Sequence, residues 1–458
     1  MSDPGMSDPG FAAIVLAAGE GSRLKSAHPK VLHGLAGQPL VRHVIDAVQT
    51  LGPLATVVVI GQGMDAVARA VAPCPTAIQS PPQGTADAVR AARGALADSL
   101  AGKTCGDVLV LFGDTPLLRT ETIAELLRVR RRAPDTAVAV AGFRPADPAA
   151  YGRLVMDADG NLARIVEAKD ASPAELAIGL CNGGIMALDA RRALPLVDRI
   201  GNDNAKGEFY LTDIVALARA EGLSCRVAEL PAEDLLGVNT RAELAAAGAV
   251  LQTRLRSRAM ENGATLVAPE TVWFCADTRL GRDVVIEPNV IFGPGVTLAN
   301  NVHILGFSHI TGADIASGAI VGPFARLRPG AVLETDVHVG NFVEVKASRL
   351  GPGTKANHLS YLGDSEIGGG TNIGAGTITC NYDGFNKSRT VIGKRAFIGS
   401  NTALVAPLTI GDGVIVAAGS VIVSDVPPDA LTVARGQQID KPGRAVELRA
   451  RLQKKKKG

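Results

Sequence analysis

The chain has 458 residues, more than one hydrophobic core ordinarily serves, so two or three domains are expected. Its 47 basic and 45 acidic residues leave a formal charge of +2, too even for a nucleic-acid groove spread over a whole domain, and 47% hydrophobic content excludes a disordered chain. Glycine is the outlier at 52 residues, about 11% against a usual ~7%, while aromatics are only 3%, so many tight turns and little aromatic bulk are implied. No apolar run reaches the ~18 residues of a membrane span and no basic-then-apolar leader opens the chain, so no membrane insertion is expected. The six cysteines (Cys74, Cys105, Cys181, Cys225, Cys275 and Cys380) include no C-x-x-C pair and suggest neither zinc nor disulfides; a cytoplasmic location fits them best.

In chain order, Met1-Ser2-Asp3-Pro4-Gly5 repeats at once as Met6 to Gly10, and residues 1–11 are set aside as a disordered start. Over 12–240, β-branched runs at 13–16, 56–60, 107–111 and 137–140 read as buried parallel strands. Amphipathic stretches at 40–51, 85–100 and 120–131 separate them. This alternation implies an α/β open sheet, Rossmann-like, with helices on both faces and a ligand at the carboxyl ends of the strands. Residues 241–262, rich in Ala, Leu, Glu and Arg and ended by Asn262-Gly263, read as a linker helix.

From 263 to 440 an aliphatic residue recurs every six positions: Leu280, Ile286, Phe292, Leu298 and Ile304, then Ile315 to Val345, then Ile392 to Ile422. That period is the signature of a parallel β-helix of hexapeptide repeats, three short strands to a triangular coil. Register breaks at 305–311, 349–365 and 379–390 read as insertions, which in a repeat protein gather on the functional face. Residues 441–458 form a basic tail ending in Lys454 to Lys457, expected to be a solvated end.

Leu16-Ala17-Ala18-Gly19-Glu20-Gly21-Ser22-Arg23-Leu24 follows the first strand, and Pro29-Lys30 comes soon after. Glycines there let backbone N–H groups approach a phosphate chain, while Arg23 and Lys30 supply charge for a triphosphate and a leaving pyrophosphate. Phe112-Gly113-Asp114 ends another strand and puts a carboxylate at the ligand edge, where Mg²⁺ would need one. As a bare helix cap, Asp114 would carry none of this.

In the second half, Arg328 and Lys346 lie 18 positions apart, one full coil, so they can stack to grip a phosphate. The segment Asn357-His358-Leu359-Ser360-Tyr361 brings a histidine near them, a base poised near neutral pH.

L-A-A-G-x-G-x-R followed by P-K resembles the signature of sugar-1-phosphate nucleotidyltransferases. The two halves together resemble the family of bifunctional N-acetylglucosamine-1-phosphate uridylyltransferase/glucosamine-1-phosphate N-acetyltransferases, from about residue 12 to 435. The resemblance implies UTP and acetyl-CoA as co-substrates, Mg²⁺ as cofactor, glucosamine-1-phosphate and N-acetylglucosamine-1-phosphate as substrates, a left-handed β-helix, and a homotrimer with acetyl-transfer sites between neighbouring prisms. It implies that Leu16, Ala17, Ala18, Gly19, Lys30, Phe112, Gly113 and Asp114 hold the nucleotide sugar. Gln79, Gly84 and Thr85 would contact the uracil, Tyr151-Gly152, Glu167 and Asn182 the amino-sugar, and Asn239 would be a second metal ligand. Phe112 stands where the family is expected to have Tyr, and Gly183 beside Asn182 is unusually small. His358 becomes the acetyl-transfer base, Tyr361 and Asn372 sugar contacts beside Arg328 and Lys346, and Ala375, Asn381, Tyr382, Ser400, Ala418 and Arg435 the acetyl-CoA site. Two other readings stay open: a single-activity sugar nucleotidyltransferase whose β-helix is structural or regulatory, and a non-catalytic subunit that kept the fold.

Overall fold

The computed structural model describes residues 10–19, 21–148, 151–204 and 206–456. Glu20, Lys457 and most of the expected disordered start (1–9) lie outside them. The chain divides into two compact units, 1–255 and 256–458. The division falls inside the helix Arg241–Glu261, so its first turns belong with the first unit.

The first unit is built on a sheet whose strands run Ser224–Glu229, Thr136–Phe143, Cys181–Asp189, Asp107–Phe112, Phe11–Leu16, Ala55–Gly61 and Thr76–Gln79. The four expected strands all run in one direction, and the correction is one further strand set among them. Cys181–Asp189 enters antiparallel between Asp107–Phe112 and Thr136–Phe143, so the sheet is mixed. That strand escaped sequence reading because Asn182-Gly183-Gly184 breaks its apolar run with residues of low strand propensity. The expected disordered start is corrected at its last residue: Phe11 begins a strand and is only 6% exposed.

Side chains alternate across the sheet. Ala12, Ile14, Val57, Val59, Val108 and Val110 pack on one side with Val89, Ala92 and Leu96 of the helix Thr85–Leu100. Ala13, Val15, Val58, Leu109 and Leu111 pack on the other with Val41, Val44, Val48, Ile123 and Leu126 of the helices Leu40–Gln49 and Thr120–Arg131. Both faces are therefore covered, which explains why the strands read as continuous apolar runs.

The second unit is a left-handed parallel β-helix with three sheets of ten, eight and eight short strands. One inward column runs Ile286, Ile304, Val321, Val339, Ala356, Ile373, Ile398 and Val416, all buried. Two of the three expected insertions are corrected. Ile310 pairs with Phe292 and Leu327, and Leu350, Ala356 and Leu362 all stay inward, so 305–311 and 349–365 remain within the coils. What breaks the period is a step shortened by one residue, as from Ile310 to Ile315 and Val345 to Leu350, together with Ala356 where a larger aliphatic was sought. The insertion at 379–390 is real: Thr379 and Thr390 are both buried, and the excursion between them is closed by a bridge of Tyr382 to Lys387. The basic tail holds a helix, Arg444–Lys456, every residue of which is exposed.

Candidate active sites

In the first unit the glycine-rich turn follows the strand Phe11–Leu16. Gly21 sits at φ 70°, and a Cβ there would collide with Cβ of Lys30, so only glycine lets Lys30 cross the turn. Lys30 forms an ion pair with Asp114 and donates to Asn239 Oδ1 at 3.0 Å. Arg23 Nη2 donates to the same oxygen at 2.8 Å. Asn239 is held beside Asp114 by the backbone, since Val238 N donates to Asp114 O at 2.8 Å. A carboxylate and an amide oxygen converging on one positive charge are the hard donors that suit Mg²⁺, so the residues fit that ion. Among the described residues no cluster of three or more His, Cys, Asp or Glu suited to a metal occurs, so a cation here would take its other ligands from phosphates and water.

Lys30 and Asp114 border a cavity of about 710 Å³; Asn239 reaches it through its bond to Lys30, and Arg23 through its bond to Asn239. Leu16, Ala17, Ala18, Gly19, Lys30, Gln79, Gly84, Thr85, Phe112, Asp114, Glu167 and Asn182 all line it. Gly113 and Gly152 act through backbone instead: Gly113 N donates to Leu16 O, and Asn182 N to Gly152 O. Gln79, 5% exposed, donates to Gly84 O at 2.9 Å and Asp87 Oδ2 at 2.7 Å. Gly84 has φ 120°, and a Cβ there would lie 2.7 Å from Phe209 N, so glycine is required for that loop to close on the start of the helix Thr85–Leu100. Burial pushes the Glu167 carboxyl above its ordinary range, against the pull of Lys206. Phe112 packs over Gly184, where a Cβ would come within 2.8 Å of its ring.

The sequence reading missed Lys206, Glu208 and Tyr210, which line the same cavity. Their loop is tied to the helix start by long-range bonds, Phe209 N to Gln83 O and Leu211 N to Thr85 Oγ1. No local pattern announces such contacts.

In the second unit one corner of the prism carries Asn341, His358, Ala375, Ser400 and Ala418 in register. Asn401 N donates to Ala375 O and Gly419 N to Ser400 O, while Arg435 Nη1 reaches Ala418 O at 2.8 Å. His358 ends the strand Lys355–His358, so its expected place in an insertion is corrected. Its Nδ1 lies 2.8 Å from Asn341 Oδ1. Across the adjoining face, Tyr361 pairs with Glu344, and Lys346 pairs with Gly363 at the far end, about 7 Å on at ~3.3 Å per residue. A Cβ at Gly363 would strike the Tyr361 hydroxyl, so that glycine makes room for the phenol.

Arg328 and Lys346 occupy equivalent positions on adjacent coils, as their spacing implied. Each also has a carboxylate partner, Glu344 at 2.8 Å and Asp364 at 3.3 Å. Asn381 donates to Asp364, and Tyr382 stands 60% exposed in the inserted loop. Asn372 lies one coil beyond Lys355 on the preceding face.

The fold and these groups define a nucleotidyltransferase joined to a hexapeptide-repeat transferase. The MobA-like NTP transferase domain family matches residues 13–172, and the bacterial transferase hexapeptide family (six repeats) matches 389–424. The chain is 54% identical to the bifunctional protein GlmU of Paramagnetospirillum magneticum, over 97% of this chain and 98% of that one. It is 58% identical to the protein of the same name from Rhodospirillum rubrum, over 97% and 98%, and 55% identical to that from Acidiphilium cryptum, over 95% and 98%. The chain belongs to the bifunctional GlmU family.

Proposed function

We propose that the second unit moves an acetyl group from acetyl-CoA to the amine of glucosamine-1-phosphate, and that the first then joins the resulting N-acetylglucosamine-1-phosphate to the uridylyl group of UTP. The observation that carries this reading is that each unit has its own convergent set of reacting groups, Lys30, Arg23, Asp114 and Asn239 in one and His358 with Arg328 and Lys346 in the other. A purely structural β-helix leaves the second set without a purpose. Assaying the two half-reactions separately on the purified chain tests the reading.

In acetyl transfer, the sugar phosphate would bind Arg328 and Lys346 at one end of the face, with Tyr361 along the ring and the amine beside His358. The amine nitrogen attacks the thioester carbonyl, His358 takes its proton, the C–S bond breaks and the coenzyme A thiolate leaves. Small corners at Ala375, Ser400 and Ala418 leave a track for the thin pantetheine arm, with Asn381, Tyr382 and Arg435 beside it. In uridylyl transfer, Gln79, Gly84 and Thr85 would hold the uracil, and Tyr151-Gly152, Glu167 and Asn182 the amino-sugar. A sugar phosphate oxygen attacks the α-phosphorus, and Arg23 and Lys30 receive the charge that moves onto pyrophosphate. Mg²⁺, held by Asp114 and Asn239, would neutralise triphosphate oxygens.

We further propose a homotrimer formed through the second unit. Phe307, Phe324 and Phe342 stack along one prism corner with ring centroids 5.0 and 5.2 Å apart, and the column continues to Leu359 beside His358. These four are 57%, 46%, 56% and 61% exposed, an apolar strip that a second copy would cover. Phe324→Asp is expected to lower the solution mass from trimer to monomer and remove acetyl transfer while uridylyl transfer persists. Light scattering that still gives a trimer would contradict it. The free cysteines support a reducing, cytoplasmic setting; burial pushes Cys225 up to about 12 and Cys275 to about 11, so neither is a reactive thiol.

A further inference from the structure

An imidazole acts as a base only through a nitrogen that carries a lone pair, and which nitrogen that is depends on what the other one meets. On this chain Nδ1 of His358 meets Asn341 Oδ1 at 2.8 Å. An amide oxygen accepts and cannot donate, so Nδ1 holds the proton and Nε2 is left free. The pairing is fixed by the backbone: Asn341 and His358 are register partners on adjacent strands, and Leu359 N donates to Asn341 O at 3.0 Å. The carbonyl of His358 is itself held by Ser360 Oγ and Gly376 N. Backbone and ring are thus set separately, and Asn341 sets the ring.

We propose that Asn341 is a positioning residue for acetyl transfer, holding His358 in the tautomer and orientation that present Nε2 to the sugar amine. The proposal rests on the assignment of His358 as base. The shortened coil explains how it stayed hidden: Asn341 precedes His358 by 17 positions, where a search for stacked residues at the regular interval of 18 lands on Gly340. The ionisable groups around the pair are His338 and Lys355, register partners on the same two strands. His338 is pushed below its ordinary value by burial and by the charges of Lys355 and His358.

The test measures acetyl transfer by thiol release on the full chain, across about pH 6 to 9, for Asn341→Ala, Asn341→Asp and His358→Ala. Asn341→Ala is expected to lower kcat roughly tenfold, the loss of about one hydrogen bond, and to leave KM for glucosamine-1-phosphate within about twofold. Asn341→Asp keeps an acceptor, so most of kcat should return at high pH. Its new carboxylate favours imidazolium, so the acid limb should move to higher pH. Nitrogen-15 spectra of histidine-labelled protein, with His358 assigned by its loss in His358→Ala, should show Nδ1 protonated in the parent and mixed tautomers in Asn341→Ala.

Wild-type kcat and acid limb in Asn341→Ala, alongside an inactive His358→Ala, would overturn the positioning role and leave the base assignment standing. So would a uniform rise in KM and fall in kcat with a lowered melting temperature and no rescue by Asn341→Asp, the pattern of a merely structural residue. An active His358→Ala would remove the base itself and the proposal with it.

Discussion

Asp114→Ala is expected to lower uridylyl transfer by roughly 10²–10³-fold, the scale of losing one electrostatic stabiliser of the transition state. Acetyl transfer should be unchanged, because its reacting groups lie in the other unit. Asp114 is the carboxylate of the centre, and the backbone bond from Val238 to Asp114 keeps Asn239 beside it. Alanine at 114 preserves that bond and removes only the charge, so the variant tests the carboxylate rather than the loop. It also leaves Lys30 without its ion-pair partner, and the freed ammonium would bind triphosphate without the divalent ion. KM for UTP should therefore change less than kcat. An unchanged rate, with chelation by EDTA also harmless, would sink the metal assignment.

His358→Ala should cost acetyl-transfer kcat roughly 10²–10⁴-fold, the usual contribution of a positioned base. Affinity for glucosamine-1-phosphate should fall little, because Arg328 and Lys346 remain on their adjacent coils to hold the phosphate. The contrast between a large kcat effect and a small KM effect separates a base from a histidine that only orders its corner. Retention of more than about a tenth of kcat would defeat the assignment.

Much of this was legible from periodicity. The helices Thr85–Leu100 and Thr120–Arg131 begin and end where their apolar spacing does, because each packs one stripe against a sheet. The hexad columns were legible for the same reason: one inward position per six residues is all the prism interior admits. What failed were features with no period. Cys181–Asp189 is interrupted by two glycines, and one of them, Gly184, leaves room for Phe112. Shortened coils looked like insertions because Ala356 supplies only a methyl group to the column, and this moved His358 into a loop it does not occupy. Asn341, Lys206 and Tyr210 were invisible because each meets its site through contacts distant in sequence. A carboxylate after a strand, as at Asp114, could be read directly; the partners that surround it could not.

One chain carries both transfers. Purified protein given glucosamine-1-phosphate, acetyl-CoA, UTP and Mg²⁺ should release free thiol and pyrophosphate in equal final amounts, with thiol appearing first, and should accumulate UDP-N-acetylglucosamine. Asp114→Ala should stop at N-acetylglucosamine-1-phosphate, releasing thiol but no pyrophosphate. Pyrophosphate without thiol from the parent protein, at any concentration of acetyl-CoA, would mean that the β-helix is not an acetyltransferase and would contradict the account.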